Sequence, residues 1–236
     1  MGKATLLQDV AGGVGNYEAL AINKTDYSVG WAATATGRDA VRWSVAGIAK
    51  VLQGLKGSSF SEAVAENDHG LSIGYSDTAT GDDAILWGPN GRIAAVLKDP
   101  GGQGVEFALA LNNNGKSVGY ADVAGGGTEA VLWQPSGKAT NLGALLRPDW
   151  SNTEAVGIND MDDIVGYGHY QNGTVSGTYG FLLTPSAGKA VSAIPGSAAA
   201  APEPSTWAML VVGFAGLGFV GYRGARRRQA RREVLA

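Results

Sequence analysis

The sequence predicts an all-β repeat fold, β-propeller-like, with four-stranded blades of about 44–47 residues and an array that is either closed or incomplete. Three observations predict it. The first is self-similarity: EALAINKTDYSVGW (18–31) returns as EAVAENDHGLSIGY (62–75), FALALNNNGKSVGY (107–120) and EAVGINDMDDIVGY (154–167). The second is the brevity of the apolar runs, five or six residues each, too short for ordinary helices and bounded by turn chemistry. The third is composition: glycine is 37 of 236 residues but proline only 8, so neither collagen nor simple disorder fits.

Within a unit the elements follow in order. EALAIN and SVGWAA are the first two strands, and NKTD, NDHG, NNNG or NDMDD between them carries the Asn, Asp and Gly of tight hairpins. GRDAVRW, GDDAILW, GTEAVLW and GTYGFLL supply the third strand, with Trp43, Trp87, Trp133 and then Leu183 at the matching position. PNGR, PSGK and SAGK form the next turn, and AKVLQGL, IAAVL and ATNLGAL the fourth strand. Asn23, Asn67, Asn112 and Asn159 hold one register, as do Gly30, Gly74, Gly119 and Gly166. A side chain at these glycines would strike a neighbouring strand or a packed aromatic. One hairpin cannot bury its apolar face alone, so the units must stack. The opening GKATLLQDV resembles GKATNLGALL (137–146), a fourth strand, so the chain starts inside a repeat. Two accounts follow: this strand closes a ring against the last blade, or the start lies downstream of the true one.

Charge and cysteine exclude several functions. There is no cysteine, hence no disulfide, thiolate metal site or cysteine nucleophile. Six arginines and one glutamate follow Tyr222, so the residues before them carry −8 against −3 overall, a poor match to nucleic acid. No metal, nucleotide or hydrolase signature occurs, so no cofactor and no catalytic residue is expected, and repeated carboxylates such as Glu18, Glu62 and Glu154 select no catalytic pair. His69 and His169 fall in unlike contexts and suggest exposed loop or strand-edge residues. The aromatic after each repeated glycine, Trp31, Tyr75, Tyr120 and Tyr167, has two readings. It is either core between blades or a set of faces able to stack on sugar rings.

The last forty residues differ in kind. Residues 1–195 are read as the repeat domain, 196–204 as a linker, 205–222 as a transmembrane helix and 223–236 as a basic cytoplasmic tail. Eighteen uncharged residues from Ser205 to Tyr222 approach the length of a membrane span. Trp207 and Tyr222 mark its ends, and Arg223, Arg226, Arg227 and Arg228 hold the C-terminus inside. No apolar signal segment opens the chain, in conflict with export unless the start is misplaced or a segment has been lost.

Two resemblances then stand out. Residues 202–228 resemble the PEP-CTERM protein-sorting domain through Pro202, Glu203 and Pro204, the apolar span and the basic end. That likeness implies a bacterial protein exported through the inner membrane, handled by an exosortase-like enzyme, and destined for the cell surface or an exopolysaccharide matrix. Residues 2–194 are similar to the HAF extracellular repeats, in whose namesake position stand Asp39-Ala40-Val41, Asp83-Ala84-Ile85, Glu129-Ala130-Val131 and Tyr179-Gly180-Phe181, without the histidine. This family has no established activity, so the likeness speaks to fold and location. The expected function is thus a non-catalytic, sorted surface or biofilm-matrix protein. The alternatives are an exopolysaccharide-binding module that uses the repeated aromatics, and a polysaccharide-acting enzyme.

Overall fold

The structure, a computed structural model, describes residues 4–98, 101, 105–124, 126–146, 148–173 and 175–185, all within one compact unit, Met1–Ala193. These residues form a row of antiparallel meander sheets. The first holds β1 (Gly13–Ile22), β2 (Ser28–Thr34), β3 (Gly37–Trp43) and β4 (Ala49–Val51); the second β5 (Ser61–Glu66), β6 (Ser72–Asp77), β7 (Asp82–Trp87) and β8 (Ile93–Leu97). The third holds β9 (Glu106–Leu111), β10 (Ser117–Asp122), β11 (Thr128–Trp133) and β12 (Ala139–Asn141); the fourth has three strands, β13 (Trp150–Ile158), β14 (Ile164–Asn172) and β15 (Val175–Leu183).

The opening strand of each sheet packs on the face of the sheet before it: β5 on β1 to β3, β9 on β5 to β7, β13 on β9 to β11. Apolar cores fill these junctions, with Val29, Ala63 and Ile85 in one, Ile73, Ala108 and Val131 in the next, and Val118, Ala155 and Phe181 in the third. Among the described residues the first and fourth sheets share no core cluster.

Repeated residues create this regularity. A Cβ on Gly30, Gly74, Gly119 or Gly166 would collide with the backbone carbonyl of Glu18, Glu62, Phe107 or Glu154 on the strand alongside. Each of these glycines lies at a bulge, where the register of the opening strand slips by a residue. The indoles of Trp43, Trp87 and Trp133 are wholly buried, and each Nε1 donates to a carbonyl of the preceding unit: Gln8 at 2.7 Å, Gln53 at 2.7 Å and Lys98 at 2.8 Å. Gln8 N–H donates to Gly47 O at 2.8 Å just as Gln53 N–H donates to Gly91 O at 2.9 Å. The opening segment therefore stands where the fourth strand of a preceding unit would leave its sheet.

The asparagines join the units a second time. Asn23 Nδ2 donates to Asn67 O at 3.1 Å, Asn67 Nδ2 to Asn112 O at 3.0 Å, and Asn112 Nδ2 to Asn159 O at 3.0 Å. Their Oδ1 atoms accept backbone N–H groups two or four residues on and so shape each turn.

The expected architecture needs correction in its last part. The transmembrane helix and basic cytoplasmic tail at 205–222 and 223–236 lie outside the described residues. Among the described residues no helix is long and apolar enough to cross a membrane. The sole helical piece there is a 3-10 turn, Gly143–Leu145. Among the described residues, strands of three to ten residues take up the apolar runs and bury many of their side chains between sheets. Among the described residues the architecture is accordingly an all-β row of repeated antiparallel sheets, with no membrane helix.

Candidate functional site

Each repeated aromatic lies directly across the sheet from an opening-strand residue, and in the last three units that residue follows a buried polar one, Ser61, Glu106 or Thr153. Trp31 pairs with Glu18, Tyr75 with Glu62, Tyr120 with Phe107 and Tyr167 with Glu154. Ala40, Ala84, Ala130 and Gly180 flank the same rings on the other side, leaving room for them. Their fates diverge along the row. Trp31 is buried, Tyr75 and Tyr120 are half-buried, and Tyr167, on the uncovered face of the last sheet, is exposed.

The first three belong to a continuous strip. The Arg38 guanidinium lies 3.7 Å from the centre of the Trp31 ring and 4.8 Å from that of Phe60. Phe60 stacks on Tyr75 at 5.7 Å and 23°, Tyr75 meets Phe107 edge-on at 5.3 Å, and Phe107 lies 5.3 Å from Tyr120. The strip thus crosses three sheets, and from Phe60 to Tyr120 every ring is half-buried, with part of its surface in water. Tyr167 stands apart from it, and its hydroxyl donates to Glu154 Oε2 at 2.6 Å.

Polar groups border the strip. Arg38 Nη1 donates to Glu62 Oε2 at 2.6 Å. Burial pushes the Glu62 carboxyl above its ordinary range, with Arg38 and the Tyr75 hydroxyl acting against that shift. Tyr75 itself is raised, first by its own burial and then by the Glu62 charge. Glu154 is also raised by burial, with the Tyr167 hydrogen bond opposing. A second aromatic group joins Trp150, Tyr170, Phe181 and Tyr179 on the fourth sheet, at 5.3 to 5.9 Å between neighbours.

Phe60, Phe107 and Arg38 were not legible as site residues from the repeats, because each breaks the repeat pattern. Phe107 takes the place of Glu18, Glu62 and Glu154, and that substitution was the one available signal. His69 is exposed in its turn, and His169 Nε2 lies 3.3 Å from Ser176 Oγ. Among the described residues no three His, Asp or Glu side chains gather as a metal site.

The sorting residues Pro202, Glu203, Pro204, Arg223, Arg226, Arg227 and Arg228 lie outside the described residues. The sorted, membrane-held surface protein expected from them is corrected, together with its exosortase-like and membrane partners and its inner-membrane stage. No described helix can serve as the anchor that this route requires. The aromatic strip on the sheets fits the alternative, a carbohydrate-binding module, better. Compared with known proteins, the chain matches no family model, no curated protein and no solved structure.

Proposed function

We propose that this row of sheets binds an extended neutral polysaccharide along the strip from Phe60 to Tyr120, with Trp31 and Arg38 supporting its end, and does not cleave it. The unbroken succession Trp31–Arg38–Phe60–Tyr75–Phe107–Tyr120 over three sheets carries the proposal. Apolar faces of sugar rings lie well on aromatic rings, and a strip several rings long suits a chain of sugars rather than a single one. Glu62 and Arg38 stand beside the rings as acceptor and donor for hydroxyl groups. The −8 charge before the arginine tail disfavours strongly anionic polymers.

The test is affinity electrophoresis and calorimetry on a panel of neutral polysaccharides, with reducing ends assayed in parallel. Retention by at least one polymer is expected, without release of ends. Tyr75→Ala and Phe107→Ala should each weaken it by about 0.5–1.5 kcal/mol, while Tyr179→Ala, in the other aromatic group, leaves it unchanged. Equal retention of the Tyr75→Ala, Phe107→Ala double variant, checked for native circular dichroism, would overturn the assignment to this strip.

A further inference from the structure

We propose that this chain associates head to tail with a second copy of itself, the open face of its last sheet receiving the open face of the partner copy's first sheet. The three junctions inside the chain show what such a face needs. At one pair of positions the first junction holds Arg42 against Glu66, an ion pair at 2.8 Å. At the same positions the second junction has Leu86 and Leu111 in a shared core, and the third has Leu132 and Ile158. The next pair in the series is Leu182 and Ile22, and both are left in water, 42% and 67% exposed.

A second series runs parallel. Val29 with Ala63, Ile73 with Ala108 and Val118 with Ala155 each share a core. Its continuation is Val165 with Ala19. Val165 is 45% exposed and Ala19 is also exposed. The two end faces are therefore apolar at the positions where the internal junctions are apolar, one presenting each half.

The turns point the same way. Asn159 Nδ2, with no following unit among the described residues, donates to Asp163 Oδ2 at 2.9 Å, while in Asn67, Asn112 and Asn23 that amide reaches the next unit's carbonyl. The carbonyl due next in the series is that of Asn23, which already receives Asp26 N–H at 3.1 Å, as Asn67 O receives Gly70 N–H alongside the incoming amide. The residues beside them, Asp160 and Lys24, carry opposite charges, but they attract each other within one chain, where Lys24 also pairs with Asp68 at 3.1 Å, so the contact between copies rests on the apolar pairs. The one like-charged match, Asp163 with Asp26, falls in the turns, where water screens it. Such contact between unlike faces is heterologous, so it closes a ring or extends a fibre.

The experiment is sedimentation of the full chain across a concentration series in mild detergent, with Ile22→Asp and Leu182→Asp. Both positions are exposed, so the variants keep the fold. The wild type should rise in mass with concentration, to a closed dimer or beyond, and each variant alone should lose at least tenfold in self-affinity. Because each variant spoils a different face, an equimolar mixture should give a one-to-one heterodimer and nothing larger. A wild type that stays monomeric to about 100 μM, a weak affinity by protein standards, would overturn the proposal. So would self-association that survives either substitution, or a mixture that remains monomeric.

Discussion

The side-chain amide of Asn67 donates to the backbone carbonyl of Asn112 at 3.0 Å while its own Oδ1 accepts the amides of His69 and Leu71, each at 3.0 Å. One buried side chain thus folds its own turn and binds it to the next sheet. Asn67→Ala should cost about 2–4 kcal/mol, since it deletes one buried and two part-buried hydrogen bonds and strands their backbone partners. Urea unfolding measures this, and a loss below about 0.5 kcal/mol, the level of an ordinary surface change, would show that the turn closes without it.

The bulge glycines differ from other glycines in what opposes a side chain. At Gly119 the obstacle is the carbonyl of Phe107, a backbone atom that cannot step aside. At Gly180 the nearest atom is 3.6 Å away, ordinary contact. Gly119→Ala should therefore destabilise by several kcal/mol, toward the exceptional end for one substitution, and Gly180→Ala should stay within about 1 kcal/mol. Thermal unfolding of the two variants side by side decides it.

Glu154 gives a pH signature. Its carboxyl is raised by burial in the folded protein. A raised acid favours folding below the ordinary carboxylate range and loses that contribution as pH rises through the shifted value. Gln at this position can still accept the Tyr167 hydroxyl but does not ionise. The melting temperature of Glu154→Gln relative to wild type should thus increase as pH rises above the ordinary carboxylate range and level off above the shifted value. A difference that does not vary with pH would contradict the burial argument.

Trp43 tests the attachment of the opening segment. Trp43→Phe keeps an aromatic ring in the core but removes the donor to Gln8 O. Hydrogen exchange at the Gln8 amide should quicken, whereas the Gln53 amide, held through Gly91 and served by Trp87, should keep its rate. Parallel acceleration at both would mean that the two attachments are not separate.

The features that declared themselves in the sequence are those in which a side chain does the same task in every unit. Asn23, Asn67, Asn112 and Asn159 are such a set, and so are the bulge glycines, because a carbonyl opposite tolerates nothing larger. The acceptors of Trp43, Trp87 and Trp133 were invisible, since they are backbone oxygens of Gln8, Gln53 and Lys98, and a carbonyl leaves no mark on residue identity. The binding strip was only half legible. Tyr75 and Tyr120 could be found by periodicity, but Arg38, Phe60 and Phe107 depart from the repeat and acquire meaning only when neighbouring sheets bring them together. The tail, strong as a pattern, led to an anchor that no described element supplies.

The junctions have a consequence for how such a chain changes over generations. Three successive junctions use the asparagine amide at the same position, and two of them the indole nitrogen, while the outer pair changes from Arg42–Glu66 to leucine and isoleucine. A genetic duplication or deletion of the third unit therefore joins surfaces that already fit, whereas one of the second unit sets Glu66 or Arg42 against a leucine. Copy number is the variable this architecture changes most freely, and the length of any ligand track along it would scale with the number of copies.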